Sequence, residues 1–128
     1  MKRLSFIKAV ALAAAGVLYT QSGFAFSDKP VKLIVPAPAG GTADVFARII
    51  GEQLAKEIQQ PVVVDNRGGA GGAIGTDAGA KAAPDGYTWT FGSDPPFTIN
   101  PSFRKLPFDP QKDFVPVSLL ARVPLVLV

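Results

Sequence analysis

The sequence predicts an α/β fold in which a mainly parallel sheet is flanked by helices. Two observations support this fold class: short apolar runs alternate with helix-like segments, and a loop rich in glycine or proline follows each run. The order is strand, loop and helix, repeated once, and then a third strand with its loop. Such βαβ units build parallel sheets, because the crossover helix returns the chain to the edge where the first strand began.

The first predicted unit is a strand followed by a long helix. Residues 32–36 are apolar and end at a proline, which is typical of a short buried strand. A helix is predicted from Gly41 or Thr42 to Ile58, because apolar residues recur every three or four positions. The residues expected on its buried face are Phe46, Ile49, Ile50, Leu54 and Ile58.

The second predicted unit starts with a strand at residues 61–65, "PVVVD". The polar, glycine-dense residues 66–72 follow, and then a helix of small residues over 73–83 that Pro84 ends. The small side chains of this helix predict close packing against a neighbour. A third strand is predicted at residues 87–91, after an Asp-Gly turn.

Beyond the third strand the sequence signals are weaker. Residues 92–97 are predicted to form a loop, 99–103 a single helical turn, and the proline-broken 105–114 an irregular segment. A further strand is predicted at 115–121, and another begins at 126–128. Three aromatic side chains in periodic elements are expected in the core: Phe46, Trp89 and Phe91.

The first 25 residues have the pattern of a secretory signal peptide. Three basic residues precede an apolar run at 9–19, and small residues at Gly23 and Ala25 fit a cleavage site. The alternative is a buried N-terminal helix. Because the chain has no cysteine, it has neither a disulfide framework nor a lipid-modified cysteine. These features predict an exported protein of the periplasm.

Charge argues against a nucleic-acid partner. The formal net charge of the chain is +3, but the leader holds three of its 13 basic residues and none of its 10 acidic ones. Residues 26–128 therefore carry ten charges of each sign, without a visible cluster of lysine and arginine. No nucleic-acid binding is expected.

Enzyme chemistry and cofactor binding also find little support in the sequence. The chain has no histidine, no cysteine and no G-x-S-x-G motif, so neither a catalytic residue nor a metal ligand set is predicted. Gly69-Ala70-Gly71 begins like the dinucleotide fingerprint, but Ile74 stands at its third glycine position. We expect a binding protein without a cofactor, not an enzyme.

Three loops are expected to meet at one edge of the sheet: the first glycine loop (residues 36–41), the second glycine loop (66–72) and the third loop (92–97). All three follow strands, and ligands of parallel sheets bind at the carboxyl ends of the strands. Two loops open onto helix N-termini, whose backbone N–H groups favour an anion. Thr42, Asn66 and Ser93 offer neutral hydrogen bonds there. Asp44 fits capping of the first turn as well as ligand contact, whereas Asp65 fits a strand-end or turn residue better.

Four segments in series resemble the substrate-binding proteins of tripartite tricarboxylate transporters, the Bug family. They are "KPVKLIVPAPAGGTADVFAR", "QPVVVDNRGGAGGAIG", "AAPDGYTWTFG" and "INPSFRKLPFDPQKDFVPVSLLA". The resemblance covers essentially all of residues 26–128 in the right order. Ala37 stands where family members more often have an aromatic residue, and the third loop carries an acid at Asp94.

The resemblance implies a monomeric periplasmic receptor of the type II periplasmic-binding-protein fold. Two lobes of such a receptor close on a small carboxylate, such as a di- or tricarboxylate, and deliver it to membrane transporter subunits. Loop backbone groups hold the carboxylate in that family. Carried over to this chain, the implied ligand-binding residues are Ala39, Gly40, Gly41, Thr42, Asp44, Gly71, Gly72, Ala73 and Ser93.

Only the first lobe is expected in this chain. The resemblance assigns residues 26–128 to that lobe, truncated near the hinge, with the second lobe missing. Two alternatives to a binding receptor stay open: a remnant that does not bind, or a split-receptor interaction domain that needs a second-lobe partner.

Overall fold

A three-stranded parallel sheet forms the centre of the molecule. The computed structural model describes residues 29–122. Its strands are β1 (Val31–Val35), β2 (Val62–Asn66) and β3 (Thr88–Thr90), in the order β2-β1-β3. Four of the five residues of β1 are buried, as expected of a central strand covered on both faces. The first three predicted strands are confirmed, each within a residue or so of the predicted bounds.

Helix α1 (Thr42–Ile58) connects β1 to β2 and covers one face of the sheet. It begins at the N-cap Gly41, and it ends at Gln59, whose left-handed conformation lets its N–H reach Ala55 O. The predicted bounds of this helix are confirmed. Its side chains pack with Leu33 and Val35 of β1 through the fully buried Ala47.

The predicted buried face of α1 is wrong for two of its five residues, whereas Ile50, Leu54 and Ile58 are half-buried. Phe46 and Ile49 are 42% and 56% exposed, while Ala47 and Gly51 are buried against the sheet. A Cβ at Gly51 would already lie 3.4 Å from Val62 Cγ1, so the helix approaches β2 too closely for a large side chain at this position. Small residues therefore form the closest contact, and Phe46 and Ile49 are turned outward.

Helix α2 (Ala73–Ala80) covers the opposite face of the sheet. Side chains alternate along a strand, so Ile34 and its register partner Thr90 point away from the face that α1 covers. Gly79 of α2 packs against Thr90, which locates the helix on that side. The close packing predicted for α2 is confirmed, but the helix ends at Ala80 rather than at residue 83.

Helical turns follow β3. A π-helical turn, Pro95–Ile99, leads directly into the short helix α3 (Asn100–Phe103). The predicted helical turn is confirmed, whereas the prediction of a loop over 92–97 is wrong for its last three residues. The irregular segment that follows is held by edge-to-face contacts of Phe114 with Phe97 and Phe108, at centroid distances of 5.1 and 6.0 Å.

The strand predicted at 115–121 is wrong. In the described part of the chain this segment pairs with no strand, and Val115, Val117 and Leu119 are 87%, 81% and 69% exposed.

Trp89 and Phe91 do pack against the core as predicted, but Phe46 does not. The predictions for residues 1–25 and 126–128 lie outside the described residues. Among residues 29–122, no helix has the length and apolar character needed to cross a bilayer.

Candidate functional site

The first glycine loop joins β1 to α1 and folds back on itself. Gly40 has φ +81°, a left-handed conformation that glycine adopts without a steric penalty. The Gly41 N–H donates to Pro38 O at 3.4 Å, and Gly41 then caps the helix in an extended conformation. Thr42 is the first residue of α1, and its side chain is exposed. Ala39 is exposed in the loop.

Asp44 is hydrogen-bonded to the first glycine loop. Its carboxylate is only 4% exposed; Oδ2 accepts a hydrogen bond from the Gly40 N–H at 2.8 Å, and Oδ1 lies 3.0 Å from Arg48 Nε. The Gly40 hydrogen bond, followed by the Arg48 contact, lowers the pKa of Asp44 below its usual value. The carboxylate is therefore an internal anion that the loop and helix have already neutralised.

Arg48 and Asn66 link the first glycine loop to the end of β2. Arg48 Nη2 donates to Asn66 Oδ1 at 3.3 Å, and Asn66 Nδ2 donates to Ala37 O at 3.4 Å. Asp65 instead pairs with Arg67 at 2.9 Å, a local contact at the strand end, in line with its expected role as a strand-end or turn residue. This series of contacts, from Asp44 through Arg48 and Asn66 to Ala37 O, fixes the position of the first glycine loop on the sheet.

The second glycine loop contains four consecutive residues with positive φ. The angles are +118° at Gly69, +49° at Ala70, +62° at Gly71 and +86° at Gly72. Only glycine adopts this region freely, so Ala70 is held there by its surroundings. The Gly72 N–H closes the turn on Gly69 O at 2.9 Å, and α2 begins at the next residue, Ala73.

Side chains hold three successive carbonyls of this loop. Arg104 Nη2 donates to Ala70 O at 3.0 Å and Asn100 Nδ2 to Gly71 O at 3.3 Å. Thr76 Oγ1, one turn into α2, donates to Gly72 O at 2.9 Å. Neither Asn100 nor Arg104 was predicted as a site residue. Asn100 lies on the predicted helical turn and Arg104 directly follows it, so their four-residue spacing was the signal available.

The two glycine loops touch each other. A Cβ added at Gly68 would lie 3.0 Å from Pro38 N and 3.2 Å from the Ala37 carbonyl carbon. One added at Gly72 would lie 3.3 Å from Pro36 O. The predicted meeting of the loops at the carboxyl edge of the sheet is thus present, and it depends on the absence of side chains at these two glycines.

The third loop reaches the second through a proline. Pro96 is fully buried, and its Cγ would lie 3.2 Å from a Cβ at Gly72. Ser93 itself is exposed, next to Gly92, which packs against the ring of Phe97. The third loop therefore joins the cluster through Pro96 and not through the serine that the sequence analysis named.

The loop cluster offers backbone N–H groups from two helix N-termini and few charged side chains. The first-turn N–H groups of α1 have no partner within the helix, so they are available to an acceptor. Within residues 29–122 no cluster of three or more metal-ligating groups occurs. A shallow cavity of about 290 Å³ borders the second loop, between α2 and the segment after α3. Its lining consists of Ala70, Ala73, Ile74, Asp77, Arg104, Lys105, Leu106 and Pro107.

A parallel sheet whose strand-end loops meet over two helix N-termini is an arrangement in which α/β proteins bind small ligands. The sequence profile described as tripartite tricarboxylate transporter family receptor matches residues 46–128. The chain therefore belongs to that receptor family, a family of solute-binding receptors.

Three relatives illustrate the similarity. The chain is 44% identical to the protein BugT of Bordetella pertussis over 130 residues, which covers all of this chain and 40% of BugT. It is 38% identical to malate-bound MatC of Rhodopseudomonas palustris, with a TM-score of 0.62 over 74% of this chain and 33% of MatC. A second R. palustris protein, solved with adipate, is 36% identical, with a TM-score of 0.64 over 67% of this chain and 29% of that one. The chain thus spans about two fifths or less of the length of these relatives.

Proposed function

We propose that this chain forms the first lobe of a periplasmic receptor for a small carboxylate, a di- or tricarboxylate, and hands it to a tripartite tricarboxylate-type transporter. The proposal rests mainly on the contact between the two glycine loops, where a Cβ at Gly68 would lie 3.0 Å from Pro38 N. That contact brings two helix N-termini to one edge of the sheet. The relatives solved with malate and adipate support the ligand class.

In this proposal, backbone N–H groups bind the carboxylate. One group of donors lies in the first glycine loop and first turn of α1, and the other lies in the second glycine loop and the start of α2. Both ends carry partial positive charge from the aligned peptide dipoles. Proposed contact residues are Ala39, Gly41, Thr42, Gly71, Ala73 and Ser93. Gly40 and Gly72, whose N–H groups are bonded to Asp44 Oδ2 and Gly69 O, shape the two loops of the site, and Asp44 acts through the first loop.

The position of Asp44 fits an anion-binding role. A free carboxylate at the mouth of the site would repel the ligand. Here the Gly40 N–H and Arg48 neutralise it, and the Gly40 N–H is itself engaged at 2.8 Å. Gly40 therefore contributes the bend of the loop, and the donors for the ligand come from its neighbours.

Residues 1–25 are proposed to export the chain to the periplasm and to be removed after Ala25. Expression of the 128-residue chain in a bacterium with a periplasm, followed by mass determination of the exported product, tests this. A product that starts at Phe26 is expected. A cytoplasmic product that retains Met1 would contradict it.

Thermal unfolding with and without carboxylates tests the binding proposal. Malate, adipate and citrate are compared with the neutral diamides of malate and adipate, which keep the shape of the two dicarboxylates but lose their charge. For a dissociation constant on the order of 1 mM, about 10 mM ligand adds about 1.4 kcal/mol to the free energy of unfolding. That increment raises Tm by several degrees in a domain of this size.

The outcome separates the proposal from its alternatives. Stabilisation by an acid but not by its diamide supports a carboxylate receptor. A cooperative melt that no acid moves contradicts binding by this chain alone. It favours either a non-binding remnant or a split receptor that needs a second-lobe partner.

A further inference from the structure

The carbonyl clamp, by which we mean Asn100 and Arg104, joins the second glycine loop to a distant part of the chain. Asn100 donates to Gly71 O across 29 positions, and Arg104 donates to Ala70 O across 34. Neither side chain contacts the first glycine loop in the described hydrogen bonds and ion pairs. The clamp therefore acts on the geometry of the second loop alone.

A hydrogen bond that holds a carbonyl in place also fixes the direction of the next N–H group, because both belong to one rigid peptide plane. In a trans peptide the C=O and the following N–H point to opposite sides of one rigid plane, and the described residues contain no cis peptide bonds. Arg104, by holding Ala70 C=O, fixes the direction of the Gly71 N–H. Asn100, by holding Gly71 C=O, fixes the Gly72 N–H, which closes on Gly69 O.

The second glycine loop needs such support because of its composition. Glycine has more backbone conformations to lose than any other residue, so an unsupported run of glycines samples many orientations of its N–H groups. The position of the clamp is itself well defined. Asn100 is 8% exposed, and the Arg104 N–H donates to Asn100 O at 3.0 Å. A Cβ at Gly71 would lie 3.2 Å from Arg104 Nη2, so the guanidinium lies directly against the loop.

We propose that Asn100 and Arg104 are positioning residues for carboxylate binding: Arg104, by holding Ala70 O, orients the Gly71 N–H before the ligand arrives, and Asn100, by holding Gly71 O, keeps the Gly72 N–H closed on Gly69 O. The inference rests on the proposed function, since it assigns that loop a carboxylate. Preorganisation of donors raises affinity because less ordering remains to be done on binding.

Two charge-matched variants of the 128-residue chain test the clamp. Arg104→Met removes the donor and one positive charge and keeps an unbranched stem. Lys105→Met removes one positive charge at the next position, in the same cavity. Hydrogen exchange of the Gly72 amide, measured by NMR without ligand, reports loop geometry, and malate titration reports affinity.

Arg104→Met is expected to speed Gly72 exchange at least fivefold and to raise the malate dissociation constant about tenfold, the effect of losing one charge-assisted hydrogen bond. Lys105→Met is expected to leave Gly72 exchange within twofold of the parent chain. Arg104→Lys retains a donor and a charge, and it is expected to recover part of both losses. Arg104→Lys also provides the test of the clamp if Arg104→Met fails to fold.

The two hypotheses fail differently. Unchanged Gly72 exchange in Arg104→Met overturns the clamp, whatever malate does. Equal loss of affinity in Arg104→Met and Lys105→Met also overturns it, since net charge then explains the effect. If the parent chain binds no carboxylate, the proposed function fails, but faster Gly72 exchange in Arg104→Met alone still supports the clamp as a device that orders the loop.

Discussion

Asp44 shows how one side chain can support an anion site without contacting the anion. Its carboxylate accepts the Gly40 N–H and lies beside Arg48, which in turn reaches Asn66 at the end of β2. From the sequence, capping and ligand contact were equally good interpretations of Asp44. They could not be separated, because both place a carboxylate at the first turn of α1, and only the folded loop shows that it accepts the Gly40 N–H.

Replacing Asp44 with asparagine should destabilise the chain in a pH-dependent way. The folded state lowers the pKa of Asp44 from its usual 3.8, so its carboxylate contributes stability above pH 3.8. This contribution is lost as pH falls below 3.8 through the folded-state pKa. The Tm of Asp44→Asn should therefore be a few degrees lower than that of the parent at pH 7, and the gap should close under strongly acidic conditions.

Glu52→Gln is the matched control for this prediction, because it removes the same charge from an exposed position on the same helix. Thermal melts from pH 2 to pH 7 compare the two variants. A gap for Asp44→Asn that stays constant across this range would show that its effect is steric and not electrostatic.

Two glycines that look alike in the sequence should respond oppositely to alanine. A Cβ at Gly75 would lie 2.5 Å from Arg67 O and 2.7 Å from Pro36 Cα, and backbone atoms cannot move aside cheaply. Gly75→Ala should therefore cost about 1–3 kcal/mol of unfolding free energy. Gly51→Ala meets only an ordinary contact with Val62, so gains in helix propensity should make it neutral or up to about 1 kcal/mol stabilising. Urea denaturation of both variants gives the comparison, and equal losses would contradict it.

At the scale of elements, the bounds of α1 are determined by sequence periodicity, whereas its buried face is determined by packing against the sheet. Its bounds followed from the sequence because the glycine pair and the 3–4 spacing mark them. Its buried face followed only in part, since Phe46 and Ile49 belong to the apolar pattern but are exposed, while the small residues Ala47 and Gly51 form the closest contact. The sheet selects the small residues because β2 lies close to the helix axis.

The exposure of Ile49 and the burial of Ala47 predict an unusual mutational pattern on α1. Ile49→Ser should change the free energy of unfolding by less than about 1 kcal/mol, because the side chain is 56% exposed. Ala47→Leu should cost about 1–3 kcal/mol, because Ala47 is fully buried between the helix and the sheet. Denaturant titration of both proteins distinguishes the two faces. A larger loss for Ile49→Ser than for Ala47→Leu would contradict this assignment and mean that Ile49 is buried.

At the scale of the whole molecule, the sequence was informative wherever a strand and its partner lie within the described residues. The order of elements, the parallel sheet and the meeting of the two glycine loops were all predictable from apolar runs and loop composition. The prediction failed at 115–121, because alternation of apolar residues predicts an extended chain but cannot supply a neighbour to bond with. Extended backbone becomes a sheet strand only where a partner offers its N–H and C=O groups.

The exposed apolar residues of that segment lead to a final prediction. Val117 and Leu119 are 81% and 69% exposed, and polar replacements at exposed positions remove no packing. The double variant Val117→Ser with Leu119→Ser should therefore keep the parent Tm and bind less of an apolar fluorescent dye, since exposed apolar surface attracts such probes. Thermal melts and dye titration at several protein concentrations test both parts. A drop in Tm of several degrees that grows with concentration would instead mean that these side chains are buried in a second copy in solution, which would contradict the expected monomer.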